Sequence, residues 1–311
     1  TMSNRFLLAL AVTLALASVA FAAPELNMRP VIGILTQPYQ RDDSPLSYIA
    51  ASYVKFVESA GGRVVPIFHN QTQAELKTLF NQINGIIFPG GGSELVKTPL
   101  FYAGQYLLRL ALEANDRGIY FPVFGHCMGF QLLSMIISED FDILEHEEVE
   151  DQGLHLNYTS LAAGSRIWKN APQSVFQTLG TQPVTMNYHH WGVGVPRFTK
   201  NAKLSSFFDL LSTNNDDVGR TFVSTVEGKK YPVYGYQWHP EKNAFEWSGH
   251  INHSPEAIAA MQYMADFAVG EARQNQQSFS NAETEYNSLI YNYHPKYTAK
   301  ISSSFVQTYI F

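Results

Sequence analysis

Cysteine is almost absent: the 311 residues hold one, Cys127. A solitary cysteine closes no internal disulfide, so this is not a disulfide scaffold, and the thiol is either free or reactive. Charge is scarce as well, with Asp, Glu, Lys and Arg making up 15% of the chain. The 21 basic residues are scattered and outnumbered by 27 acidic ones, a net charge of −6. That leaves no footprint for nucleic acid or an anionic membrane surface. No linker or internal repeat divides the chain, and 45% apolar residues are ample for one large core. The histidines lack metal-ligand spacing, so no metal or cofactor is expected.

The one long apolar run is N-terminal. Arg5 precedes the apolar residues 6–17, and Ala20-Phe21-Ala22 supplies small residues at signal-peptidase spacing. Residues 1–23 therefore read as a secretory signal peptide; the run is short for a membrane span and no polybasic stop follows. Residues 24–311 read as one domain with an extended C-terminal tail. Asn70, Asn157 and Asn252 begin sequons and are glycosylation candidates, the last weakened by Pro255.

Cys127 lies in Phe124-Gly125-His126-Cys127-Met128-Gly129, after the apolar residues 120–123 and before the helical stretch 130–137. A strand, a glycine-flanked turn and a helix place the sulfur on an elbow. The amides and dipole of the helix N-terminus are expected to lower the thiol pKa and to hold an oxyanion. The bland alternative is a buried structural cysteine. Far downstream, Gln237-Trp238-His239-Pro240-Glu241 puts an imidazole and a carboxylate two residues apart at a strand end, on one side of an extended chain. That is a base oriented by a carboxylate. A third apolar stretch, residues 85–88, runs into Pro89-Gly90-Gly91-Gly92, whose backbone amides can meet the elbow at the carboxyl edge of a parallel sheet. No Gly-Lys-Ser/Thr follows it, so a phosphate loop is disfavoured.

Alternating patterns predict strands at 31–35, 64–68, 85–88, 120–124, 222–226 and 233–237, with helices at 47–60, 73–82, 105–115, 128–138 and 255–276. The fold class is α/β: a mostly parallel sheet with helices on both faces. Residues 201–211 read as a short helix, 142–161 as a β excursion near the cleft, and 281–311 as a tail packed on the surface.

In the order Pro-Gly-Gly-Gly, Gly-His-Cys-Met-Gly-Phe-Gln and Gln-Trp-His-Pro-Glu, these motifs resemble the class I glutamine amidotransferase superfamily. Within it the chain resembles the γ-glutamyl hydrolase family over nearly its whole length, through stretches such as Pro30-Val31-Ile32-Gly33-Ile34-Leu35 and Met186-Asn187-Tyr188-His189. The resemblance implies a flavodoxin-like sandwich and hydrolysis of folylpoly-γ-glutamates through a thioester. It makes Cys127 the nucleophile, His239 the base and acid, and Glu241 its orienter, with Gly91 and Met128 as oxyanion amides. Gln131, one turn after Cys127, faces the amino-acid end of the substrate or simply the core. His189 is a cleft histidine, and Tyr53 lines the cleft or packs in the core. His126 points away and takes no catalytic part. The family also implies a lysosomal or extracellular homodimer. Competing readings are a γ-glutamyl peptidase on glutathione-like conjugates, a glutaminase subunit feeding a synthase, and a non-enzymatic carrier.

Overall fold

The computed structural model describes residues 25–39, 45–300 and 304–311; the expected signal peptide lies outside them. The strand Val31–Leu35 is buried at every position. Val31 and Leu35 join one apolar cluster, Ile32 and Ile34 the other, because successive side chains alternate across a sheet. A strand apolar on both faces belongs inside a parallel sheet covered on both sides. It runs between Arg63–Ile67 and Gly85–Phe88, parallel to both. The order continues through Val123–His126 and Val233–Tyr236, also parallel, then turns antiparallel through Thr221–Gly228, Phe208–Asn215 and Asn157–Tyr158.

Helices Gln73–Phe80, Pro99–Asp116 and Met128–Ser138 bury their apolar stripes in one cluster, and Ala51–Ser59 and Pro255–Ala272 in the other. This is the expected α/β sandwich. Among the described residues no helix is long and apolar enough to cross a membrane.

Several boundaries differ from expectation for physical reasons. The helix expected at 105–115 begins at Pro99, where Thr98 caps the first turn and proline occupies a position that needs no amide hydrogen. The strand expected at 120–124 begins at Val123, because the Asn115 side chain holds both the amide and the carbonyl of Phe121. The helix expected at 47–60 begins only at Ala51. Residues Ser47–Ala50 are a strand, paired with Gln37–Pro38 and, across more than 250 residues of sequence, with Gln307–Ile310. The C-terminal tail thus closes a second, four-stranded sheet of Lys296–Tyr297, Gln307–Ile310, Ser47–Ala50 and Gln37–Pro38. The excursion near the cleft is the strand Glu145–Leu154, paired antiparallel with Thr185–Gly192.

Candidate active site

Three parallel strands end on one edge of the sheet and deliver the three motifs there. The strand Val123–His126 turns sharply at Cys127, whose φ of 49° is a left-handed value unusual for a residue with a side chain, and Met128–Ser138 follows. The flanking glycines are required by contact: a Cβ on Gly125 would lie 2.7 Å from the Gly129 carbonyl oxygen, and one on Gly129 would run into the carbonyl of Phe88. The elbow is held only by backbones that approach this closely.

The second motif arrives differently from expectation. The strand ends at Tyr236, and a turn through Pro240 brings Glu241 into helical conformation, so His239 and Glu241 meet across a turn and not along an extended chain. His239 Nδ1 lies 2.7 Å from Glu241 Oε1. This assigns Nδ1–H to the carboxylate and leaves Nε2 as the basic nitrogen. Glu241 is fully buried, and its Oε2 lies 3.4 Å from His126 Nδ1. His126 therefore does not point away from the site; its ring sits behind the carboxylate among Tyr53, Phe56 and Tyr236.

The glycine loop completes the edge. Gly90 abuts both His239 and Cys127, since a Cβ there would contact the ring and the cysteine Cβ. Gln37 fastens the loop: its Nε2 donates to the Gly90 carbonyl at 2.7 Å, while its Oε1 accepts from Tyr48 and Ser93. Tyr53, expected in the cleft, is fully buried behind it, with its hydroxyl accepting the Gly90 amide at 2.6 Å and lying 3.4 Å from His239 Nδ1.

Cys127, Met128, Gly91, Gln131, His189 and His239 line a single cleft of about 880 Å³. Gln131 is anchored by donating to the Trp191 carbonyl at 2.6 Å. Lys242, Trp191, Arg197 and Phe305, none of them expected from the sequence, also line the cleft. Lys242, next to Glu241, was the most readable of these; Phe305 carries no local signal, because only the tail strand brings it there. Of the sequons, Asn70 and Asn157 are exposed, whereas Asn252 is half-buried and its Oδ1 accepts the Ser254 amide.

The electrostatics reverse one expectation. Burial, reinforced by the Glu241 charge, pushes the Cys127 thiol up to about 12 despite the opposing pull of the Met128 amide and of Lys242. Burial also lowers the His239 imidazole, an effect the Glu241 carboxylate only partly offsets. Glu241 is itself buried, yet the two imidazoles hold its carboxyl well below the usual range. One helix terminus does not outweigh desolvation of a buried sulfur. Both shifts favour a neutral thiol beside a neutral imidazole, and the sulfur lies 3.8 Å from the Tyr188 carbonyl oxygen.

The pattern of the peptidase C26 family matches residues 30–241. The chain is 44% identical over 288 residues to the γ-glutamyl hydrolase of Mus musculus, covering 91% of this chain and 90% of that one. It is 43% identical to γ-glutamyl hydrolase B of Dictyostelium discoideum, over 92% and 84% of the two chains. Among solved structures, the glutaminase domain of Trypanosoma brucei CTPS aligns with a TM-score of 0.49 at 14% identity, over 77% of this chain and 94% of that one. By its sequence, this chain belongs to the peptidase C26 family.

Proposed function

We infer that the protein is a cysteine-dependent γ-glutamyl hydrolase acting on folylpoly-γ-glutamates. The observation that carries this reading is the Glu241–His239 pair set beside an elbow cysteine in a cleft large enough for an extended ligand. His239 Nε2 takes the thiol proton as the sulfur attacks the γ-carbonyl, and Glu241 supports the imidazolium that forms. The Gly91 and Met128 amides are assigned to the oxyanion. His239 then protonates the leaving amine, and water, activated by the same ring, releases the acyl group from sulfur.

Supporting the folate chain as substrate, the cleft is lined by two cations, Lys242 and Arg197, the latter also bonded to Glu145, and by the rings of Trp191, Phe141 and Phe305. Cations suit the α-carboxylates of a glutamate chain, and flat rings suit a pterin. His189 is assigned to the group beyond the scissile bond. A rate comparison on folate diglutamate, glutamine and a glutathione conjugate tests this. The diglutamate should have by far the highest kcat/KM; equal efficiency on glutamine would favour an ammonia donor, and preference for the conjugate a peptidase of glutathione derivatives.

Residues 1–23 and the exposed Asn70 and Asn157 support entry into the secretory pathway, towards the lysosome or the extracellular space. N-terminal sequencing of the mature protein, with a glycosidase shift, checks this; an uncleaved, unglycosylated chain would contradict it. A homodimer is proposed from the family resemblance and is checked by light scattering.

A further inference from the structure

The strand pair beside the cleft buries a second carboxylate and imidazole, neither of which takes part in the proton transfers above. Glu147 and His189 are both almost fully buried, with Glu147 Oε2 3.3 Å from His189 Nδ1. The alternation of Glu145–Leu154 turns Glu147 and Val149 inward, and Val149 faces His189 across the pair. Room for the carboxylate exists because Gly192 has no side chain: a Cβ there would strike Glu147. The Phe222 and His189 rings pack edge to face, with their centroids 5.1 Å apart.

At 3.3 Å the two groups are within ion-pair distance but are not aligned as a hydrogen bond, and neither oxygen of Glu147 and neither nitrogen of His189 has another hydrogen-bond partner among the described residues. Folded proteins rarely leave such groups unmade, and a site that awaits a ligand is one reason they do. His189 lines the cleft, whereas Glu147 lies behind it. With Nδ1 towards Glu147, the nitrogen left for a ligand is Nε2.

We propose that Glu147 is a positioning residue: it stabilises His189 as an imidazolium whose Nε2–H is presented to a carboxylate of the group beyond the scissile bond. A protonated ring is a donor at both nitrogens, so one proton faces Glu147 and the other the substrate. A neutral ring held by the same carboxylate would present a lone pair there and repel an anion. Burial raises the Glu147 carboxyl, and His189 is the chief group drawing it back. Other charges nearby are already paired: Asp216 with Arg220, and Glu145 with Arg197.

The inference rests on the hydrolase reading, and its test separates the two. Two amides sharing one acyl group are compared: folate diglutamate, and the γ-anilide of folate, whose leaving group carries no carboxylate. Glu147→Gln should raise KM for the diglutamate about tenfold, the loss of one charge-assisted hydrogen bond, with a much smaller change in kcat. The anilide should be affected less, and Glu147→Asp should recover part of the loss. In a His189→Gln background, Glu147→Gln should add nothing, because its effect passes through that ring. Proportional losses on both amides, or additive losses in the double variant, would overturn the proposal. If Glu147→Gln loses its near-ultraviolet circular dichroism, Glu147→Ala with added formate decides: restored diglutamate KM supports the pair, and no restoration rejects it. Failure of the wild-type protein on both amides would instead sink the hydrolase reading.

Discussion

Cys127 adopts a backbone conformation that side chains avoid, and it does so where three strands converge. Such strain persists only where the surroundings over-determine it, here through glycine contacts at positions 125 and 129. Cys127→Ala and His239→Ala should each lower kcat on the order of 10³-fold or more, because nucleophile and base act as a unit. Glu241→Gln should retain more activity, since it orients a base and is not one. The neutral resting pair has its own signature. His239 must be unprotonated to act, and burial lowers its pKa, so kcat/KM should fall with decreasing pH only below 6.5, the ordinary histidine value. In the free enzyme, alkylation of Cys127 by iodoacetamide should accelerate steadily with rising pH, as a raised thiol requires. A rate constant across the acid range would reveal a thiolate–imidazolium pair and reject this account.

Among the elements, the short apolar strands were legible because each is bounded by turn residues and buried on both faces. The strand Gly85–Phe88 and the helix Met128–Ser138 lie where the sequence places them. The strand Ser47–Ala50 was not legible, because its partner Gln307–Ile310 is remote in sequence and local pattern favours the helix that follows. Glu147 was missed for a related reason: it belongs to the acidic run Glu145-His146-Glu147-Glu148-Val149-Glu150-Asp151, which reads as a solvated face until Thr185–Gly192 covers one side. The catalytic motifs were legible because each is contiguous: the glycine-bounded cysteine and the His-Pro-Glu triplet need no long-range partner to be noticed. The junction of strand and helix supplies a stability test. Gly129→Ala places a methyl against the Phe88 backbone, which cannot step aside as a side chain would. The variant should be destabilised by about 3 kcal/mol, measured by urea unfolding, with activity lost as the elbow shifts. An unchanged midpoint would mean that the contact is not tight.

At the scale of the whole molecule, the parallel sheet gathers the glycine loop, the elbow and the His-Pro-Glu turn from strands that are consecutive neighbours in it. The Glu145–Leu154 and Thr185–Gly192 pair and the C-terminal segment then wall the cleft with His189 and Phe305. The central claim is that the acyl half of the substrate passes through a covalent bond to Cys127. Mass spectrometry of the acid-quenched protein during turnover of folate diglutamate tests it most directly. The account predicts that the peptide containing Cys127 carries the pteroylglutamyl group as a hydroxylamine-labile thioester, absent from Cys127→Ala, which turns over no substrate. Substantial turnover by Cys127→Ala, or an acyl group on any other residue, would contradict it.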